Sequence, residues 1–222
     1  MSEENKMPQE NLPAFVKAAP ELLPVWDWWV KEGKSTLLML VLVGIGVAGF
    51  YGVRNWLTAR NAAANQALVN AYNVEELETA VRDYGSTKAG SALRLRLAKA
   101  YFDAARYEES LKVYDALVEK SAKNAAFADV AVLGRGHALE GLTKYADAEK
   151  IFADYAKANT NSYLVLDAQM SAARCKALQG NKDAAVKELD ALKAATKDEI
   201  AKNRIERMTD AIKRYDPKRQ AR

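Results

Sequence analysis

Two side-chain types that carry much of enzyme and metal chemistry occur once each in this sequence of 222 residues. His137 is the only histidine and Cys175 is the only cysteine. One cysteine cannot form an internal disulfide, and one histidine with one cysteine cannot supply a zinc site built from His and Cys ligands. Disulfide scaffolds and zinc fingers are therefore excluded.

Catalysis needs a nucleophile, a base and a group that orients them, and the sequence supplies few candidates. Cys175 lies in an alanine-rich and leucine-containing stretch, so we expect it to pack in the interior. His137 follows Gly136 and is interpreted either as a ligand contact or as a structural histidine. The carboxylates are spread along the chain, with no clustered pair for acid–base work or for a metal ion. We predict that the protein is not an enzyme and needs no metal or cofactor.

The composition favours an all-α fold. Half of the residues are apolar and only five are proline. This composition is too hydrophobic for a disordered chain. Alanine, leucine, lysine and glutamate dominate, and all four are strong helix formers. The 33 basic and 29 acidic residues nearly balance.

A membrane-spanning segment is predicted at residues 35–53. These 19 residues contain no charged residue, His, Asn, Gln or Pro, which is close to the roughly 20 apolar residues that a spanning helix needs. Trp29 and Trp56 flank the segment, about 40 Å apart along a helix at 1.5 Å per residue. Tryptophan prefers the two membrane interfaces. The predicted interfacial anchors are Trp26, Trp28, Trp29 and Trp56.

We interpret this segment as an uncleaved signal anchor that follows a cytoplasmic or interfacial arm, residues 1–34. A cleaved signal peptide is the alternative, but its apolar region is usually about 7–15 residues long and begins nearer the N-terminus. Lys17, Lys31 and Lys34 precede the segment, whereas Arg54 and Arg60 follow it. This bias leans toward a cytoplasmic N-terminus.

A stripe of small residues runs along the predicted span. Gly44, Ala48 and Gly52 recur every four residues, so they lie on one face of a helix. Small side chains let another helix approach closely in lipid. The stripe therefore predicts a contact with another transmembrane helix, including self-association, unless it reflects only the general frequency of glycine in spanning helices.

Beyond the span, the chain is predicted to form helical hairpins. The spanning helix is expected to continue to about residue 73, and a second helix covers Val74–Tyr84. A motif then repeats at offsets of 38 and 37 residues, with a small residue followed four positions later by a large one. The pairs are Ser110 and Tyr114, Ala148 and Phe152, and Ala185 and Leu189.

These residues resemble the tetratricopeptide repeat (TPR). The segment from Leu97 to Tyr101 fits the first half of its pattern, and Gly136 fits a small position in the second repeat. The resemblance implies a TPR-like solenoid over residues 74–196, with repeats at about 91–124, 129–162 and 166–196. Residues 197–222 are predicted to form a capping helix and a basic tail, which is either a solvated end or a contact for anionic lipid or RNA.

A solenoid of this kind offers a concave surface formed by the first helix of each hairpin. A mixture of apolar and charged groups on that surface suits an extended peptide. The residues predicted to line this groove are Leu95, Lys99, Phe102, Asp103, Leu133, His137, Glu140, Met170 and Arg174.

The layout as a whole is similar to the ancillary SecYEG translocon subunit family. The likeness rests on the tryptophan cluster from Trp26 to Trp29, on Gly33-Lys34, and on the segment from Gly52 to Trp56 before the alanine-rich helix. The resemblance implies a single-pass protein of the bacterial inner membrane with a periplasmic repeat domain. Its implied partners are the SecYEG translocon and periplasmic chaperones. No nucleic acid is expected as a partner.

Two functions follow as hypotheses. The first is an interaction subunit at the protein-export channel, whose groove binds translocon components, chaperones or emerging polypeptides. The second is a membrane-tethered envelope scaffold that organises cell-wall or division proteins.

Overall fold

The computed structural model describes residues 12–121 and 127–215. The first 11 residues of the predicted arm, the loop at 122–126 and the end of the basic tail at 216–222 lie outside the described residues. All regular elements among the described residues are helical. The chain divides into two compact units, Met1–Ala59 and Arg60–Arg222.

The N-terminal unit contains short helices and most of one long helix. Its elements are α1 (Ala14–Ala18), a 3₁₀ turn (Pro20–Leu22), α2 (Leu23–Trp28), a π-helical turn (Trp29–Gly33) and the first part of α3 (Lys34–Asn70). By length and composition, the helical run Pro20–Asn70 could cross a membrane. Every side chain from 37 to 59 is exposed in the isolated chain.

The break between α3 and α4 comes from a local capping interaction. Helix α3 ends at Asn70, three residues before the predicted end, because Asn73 is in an extended conformation and caps the next helix. Its side-chain Oδ1 accepts a hydrogen bond from the backbone N–H of Glu76 at 2.8 Å. The Glu76 carboxylate in turn accepts a hydrogen bond from the N–H of Tyr72 at 2.8 Å. Such reciprocal capping satisfies donors that a helix N-terminus otherwise leaves unpaired.

The second unit is a row of antiparallel helices. They are α4 (Val74–Tyr84), α5 (Gly90–Asp103), α6 (Tyr107–Ser121), α7 (Ala128–Gly141), α8 (Tyr145–Ala158), α9 (Val165–Leu178), α10 (Lys182–Ala195) and α11 (Glu199–Arg214). Consecutive helices from α4 to α11 pack on each other, and α5 also contacts α7, as α9 contacts α11. Sequence periodicity predicts the first helix of each repeat at 93–103, 130–139 and 168–178, and a last helix at 197–215. They are found as α5, α7, α9 and α11, with bounds that differ by at most three residues.

The helix pairs α5–α6, α7–α8 and α9–α10 form three hairpins, and the chain turns in each hairpin through one residue with a left-handed backbone. These residues are Ala105, Thr143 and Gly180, with φ angles of 58°, 59° and 96°. In each turn the following N–H bonds a carbonyl five residues back, as from Arg106 to Tyr101 at 2.8 Å and from Lys144 to Leu139 at 2.9 Å. This bond is typical of a Schellman C-cap. The sequence offsets of 38 and 37 residues therefore mark one turn geometry used three times.

The small and large residues of the repeated motif lie in the core. Ala148 and Phe152 are fully buried, as are Ala185 and Leu189, while Ser110 is buried and Tyr114 is nearly so. The Ser110 hydroxyl donates to the carbonyl of Ala98 across the first hairpin at 2.8 Å. The second helix of each hairpin thus approaches closely at the small residue and packs its large one into the interior.

Candidate peptide-binding groove

A groove of about 420 Å³ lies across the first helices of the hairpins. Its walls come from α5, α7, α9 and α11. Five of the nine predicted inner-face residues line it: Lys99, Leu133, His137, Met170 and Arg174. Leu133 and Met170 are largely buried, so they form the floor of the groove.

The other four predicted residues lie near the groove without lining it. Leu95 packs against the core cluster around Ala98 and Tyr114. The ring of Phe102 lies edge-on to that of Tyr107, with 5.3 Å between ring centroids. Asp103 is exposed and pairs with Lys99 at 2.6 Å. Glu140 forms the ion pair described next.

Glu140 and Arg174 connect the first helices of two successive hairpins. The Arg174 guanidinium donates from Nε to Oε1 of Glu140 at 2.6 Å and from Nη2 to Oε2 at 2.7 Å. This bidentate geometry is the strongest arrangement for an arginine–carboxylate pair. Only 17% of the Glu140 side chain and 32% of the Arg174 side chain are exposed.

The pair changes the acidity of Glu140. Burial alone raises the pKa of its carboxyl, but hydrogen bonds from His137 and Arg174 and the positive charge of Arg174 outweigh burial and lower the pKa to about 2. Burial lowers the pKa of Arg174, but its hydrogen bonds to Glu140 and the negative charge of Glu140 together outweigh burial and raise the pKa above its usual value. Both groups are therefore charged at neutral pH, and each compensates the other.

His137 completes this cluster. Its Nδ1 lies 3.5 Å from Oε2 of Glu140 and 3.4 Å from Nη2 of Arg174. Its ring lies 4.9 Å from that of Phe152, at an angle of 54°. The histidine is thus a structural member of the cluster and also a lining residue of the groove, so both roles predicted for it remain compatible with its position.

The C-terminal helix contributes to the groove, which the sequence did not predict. Arg204 and Met208 of α11 line it together with residues of α9. The guanidinium of Arg204 pairs with the carboxylate of Asp167 on α9. Helix α11 was expected only as a capping helix, because it has an apolar side and dense charge elsewhere. Met208 belongs to that apolar side, but the repeated motif does not extend into α11, so it did not place Arg204 or Met208 on the inner face.

Cys175 lies in the interior behind the groove. It is fully buried in the cluster that contains Phe152, and burial raises the pKa of its thiol to about 12. A thiol in this environment is a poor nucleophile, because the thiolate is the reactive form. Among the described residues, no group of three His, Cys, Asp or Glu side chains could hold a metal ion.

The residues predicted to meet lipid or another helix lie in the N-terminal unit. A Cβ atom placed at Gly44 or Gly52 would meet no atom within 4 Å. Trp26 packs edge-on against Phe15, with 5.7 Å between ring centroids. The other three tryptophans, Trp28, Trp29 and Trp56, are exposed in the isolated chain. Ala48, which lies between Gly44 and Gly52 on the small-residue stripe, is exposed as well.

Two solved structures share the architecture of the array. A crystal structure of a putative kinesin light chain from Podosopora anserina with nearly identical TPR-like repeats aligns with a TM-score of 0.54 and 18% sequence identity, over 74% of this chain and 89% of that chain. A variant of the same protein aligns with a TM-score of 0.56 and 18% identity, over 74% and 88%. The helical array has a TPR-like repeat fold. No protein-family model and no curated protein matches the chain.

This likeness confirms the all-α, TPR-like part of the predicted fold. TPR-like folds generally serve as protein-interaction scaffolds rather than enzymes. The low identity limits the comparison to the fold, so it carries no partner or cellular role from those proteins to this chain.

Proposed function

We propose that this protein is a membrane-anchored interaction subunit at the bacterial protein-export channel, whose groove binds emerging polypeptides, chaperones or translocon components. The groove carries the proposal: it has an apolar floor with paired charges at its rim, and it crosses the first helices of the hairpins in a TPR-like array. A surface of this kind can bind extended chains of varied sequence, because Met170 and Met208 adapt their flexible side chains to different ligands.

The anchor is the helix that contains residues 35–53. Its length and apolar composition support a single crossing of the inner membrane. The lysines before the span support a cytoplasmic N-terminus and a periplasmic array. The resemblance of the tryptophan cluster and span to the ancillary translocon subunits supports SecYEG and periplasmic chaperones as partners.

Site-specific photocrosslinking in intact cells tests this function. A photoreactive amino acid replaces Lys99 or Val130, which line the groove and are exposed. The matched control carries the same amino acid at Ala153, an exposed position on α8 that does not line the groove. We expect adducts with exported polypeptides, chaperones or translocon subunits from the groove positions only. Equal adducts from Ala153, or none from either groove position, would contradict the proposal.

A membrane-tethered envelope scaffold remains the second candidate. The open small-residue face of Gly44, Ala48 and Gly52 favours it, because such a face can associate with a second helix in lipid. The same crosslinking experiment separates the two functions. Adducts with cell-wall or division proteins, together with a location at division sites that does not depend on export, would favour the scaffold.

A further inference from the structure

A second cavity adjoins the groove between α9 and α11. It has a volume of about 220 Å³. Its apolar walls are formed by Ala177, Leu178, Met208, Ala211, Ile212 and Tyr215. Arg174 and Met208 line both this cavity and the groove, so the two spaces adjoin at these residues.

The walls of the cavity select against charged groups. Among the described residues that line it, Arg174 is the one that carries a charge, and its guanidinium is already held by both oxygens of Glu140. A ligand carboxylate would therefore compete with an existing bidentate pair, whereas an ammonium group would meet the like charge of Arg174. Moving either charge from water into apolar surroundings also costs free energy. An uncharged apolar group meets neither penalty.

The size of the cavity matches one side chain. Pockets that take whole drug-sized molecules measure roughly 300–1,000 Å³, which is larger than this cavity. An apolar cavity of about 150 Å³ is enough to hold one benzene molecule. A leucine, methionine or phenylalanine side chain therefore fits, but a second large residue does not.

The described residues leave the cavity open. It therefore has room for a side chain that the described part of the chain does not supply. A polypeptide lying in the groove contacts the shared lining residues Arg174 and Met208, so it is the nearest source of such a side chain.

We propose that this cavity is a specificity pocket, which takes one large uncharged side chain of the polypeptide bound in the adjoining groove. The inference rests on the proposed function and deepens it. It assigns the bound polypeptide an apolar anchor residue at the α9–α11 end of the array, while the groove contacts the flanking backbone and side chains.

Methyl NMR of the full-length protein in lipid nanodiscs tests the pocket directly. Methionines carry ¹³C-labelled methyl groups, and Met208 is assigned with the variant Met208→Leu. The probe is N-acetyl-leucinamide, and N-acetylglycinamide is the control that lacks a side chain. We expect leucinamide to shift the Met208 methyl saturably and more strongly than that of Met170, which lines only the groove. Equal shifts with glycinamide, or none with leucinamide, would overturn the pocket.

A matched pair of substitutions checks the location. Ala211→Phe fills the cavity from an exposed position on α11, whereas Ala191→Phe adds the same ring at an exposed position on α10 outside it. Burying one apolar side chain corresponds to roughly tenfold or more in affinity. We expect Ala211→Phe to weaken leucinamide binding at least about tenfold and Ala191→Phe to leave it within about twofold. Equal effects of the two substitutions contradict the proposal.

Crosslinking from Val130 then separates this inference from the proposed function. If Ala211→Phe reduces polypeptide adducts and Ala191→Phe does not, both stand. If adducts are unchanged in Ala211→Phe, the pocket is not used and only the inference fails. If wild-type protein gives no adduct although leucinamide binds, the proposed function fails and the inference falls with it. A Met208 methyl shift that follows protein concentration without probe would identify a second copy as the occupant and overturn the proposal.

Discussion

Arg174 on α9 holds both carboxylate oxygens of Glu140 on α7, at 2.6 and 2.7 Å. The two residues are 34 positions apart, so the pair joins corresponding helices of successive hairpins. It also neutralises the rim of the groove beside His137. The interface between the second and third hairpins is therefore partly electrostatic, and its stability depends on the charge of Glu140.

Acid weakens this interface. The pKa of Glu140 is about 2 in the folded protein, below its ordinary value of 4.5. A lowered folded-state pKa adds stability above pH 4.5, which is lost as pH falls from 4.5 toward 2. A change of one pKa unit corresponds to about 1.4 kcal/mol of folding free energy. Because Glu140 is partly exposed to solvent, we expect its ionised carboxylate to stabilise the fold by on the order of 2 kcal/mol. Urea unfolding followed by circular dichroism measures it.

Glu140→Gln isolates the contribution of this one carboxylate. The variant should be destabilised at neutral pH, and its difference from wild type should shrink as pH falls below 4.5. Asp103→Asn is the control, because it removes an exposed ion pair with Lys99 that contributes about 1 kcal/mol or less. A constant difference between Glu140→Gln and wild type across the acidic range would show that the pair does not titrate as described.

Gly136 is required where α7 meets α8. A Cβ atom there would lie 2.6 Å from the ring of Phe152, which is fully buried. Gly136→Ala gains about 1 kcal/mol of helix propensity but forces the ring to move, for a net destabilisation of roughly 1–2 kcal/mol in thermal or urea unfolding. The double variant Gly136→Ala, Phe152→Leu tests whether the clash with the Phe152 ring causes this destabilisation. If the clash is responsible, Phe152→Leu costs less in the Gly136→Ala background than in wild type.

The hairpin turns contain two removable strains. Thr143 and Ala105 have φ angles near +60°, which cost non-glycine residues roughly 1–2 kcal/mol. Thr143→Gly relieves this strain but increases the freedom of the unfolded chain, so we expect a net gain of about 0.5–1 kcal/mol in the free energy of unfolding. Gly180→Ala at the third turn, where φ is 96°, should destabilise by about 1 kcal/mol or more. If backbone strain is the cause, the free energy of unfolding must rise in Thr143→Gly and fall in Gly180→Ala.

The small-residue face of α3 predicts a partner helix. Gly44→Leu with Gly52→Leu adds bulk where, apart from the helix's own backbone, no atom of the described residues lies within 4 Å of the new Cβ, so the stability of the isolated protein should stay within about 0.5 kcal/mol. Association with another spanning helix should weaken, since that helix can no longer approach closely. Crosslinking in native membranes measures the complex. Met39→Leu, an exposed change on the same helix, is the control. Complexes that survive the double substitution would identify the face as lipid-exposed surface.

Local patterns in the sequence determined the helices of this protein. The 19-residue apolar segment and the repeated pair of small and large residues are local features, so they could be interpreted without the fold. The cap formed by Asn73 was not predicted, and it ends α3 before the expected position. The period of the repeated motif also predicted the TPR-like stacking, because each hairpin has one apolar side to bury against the next. The membrane span and its partners remain predictions from the same patterns.

Only the tertiary structure decided how the helices register across the groove. Periodicity gave the inner face of α5, α7 and α9, but it could not show that Glu140 meets Arg174 or that Leu95 turns into the core. It also gave no reason to place Arg204 and Met208 beside α9, because the repeated motif does not extend into α11. Side-chain spacing along one helix follows from its fixed 3.6-residue turn. Contacts between helices depend instead on crossing angles and on packing from distant parts of the chain, which local spacing does not specify.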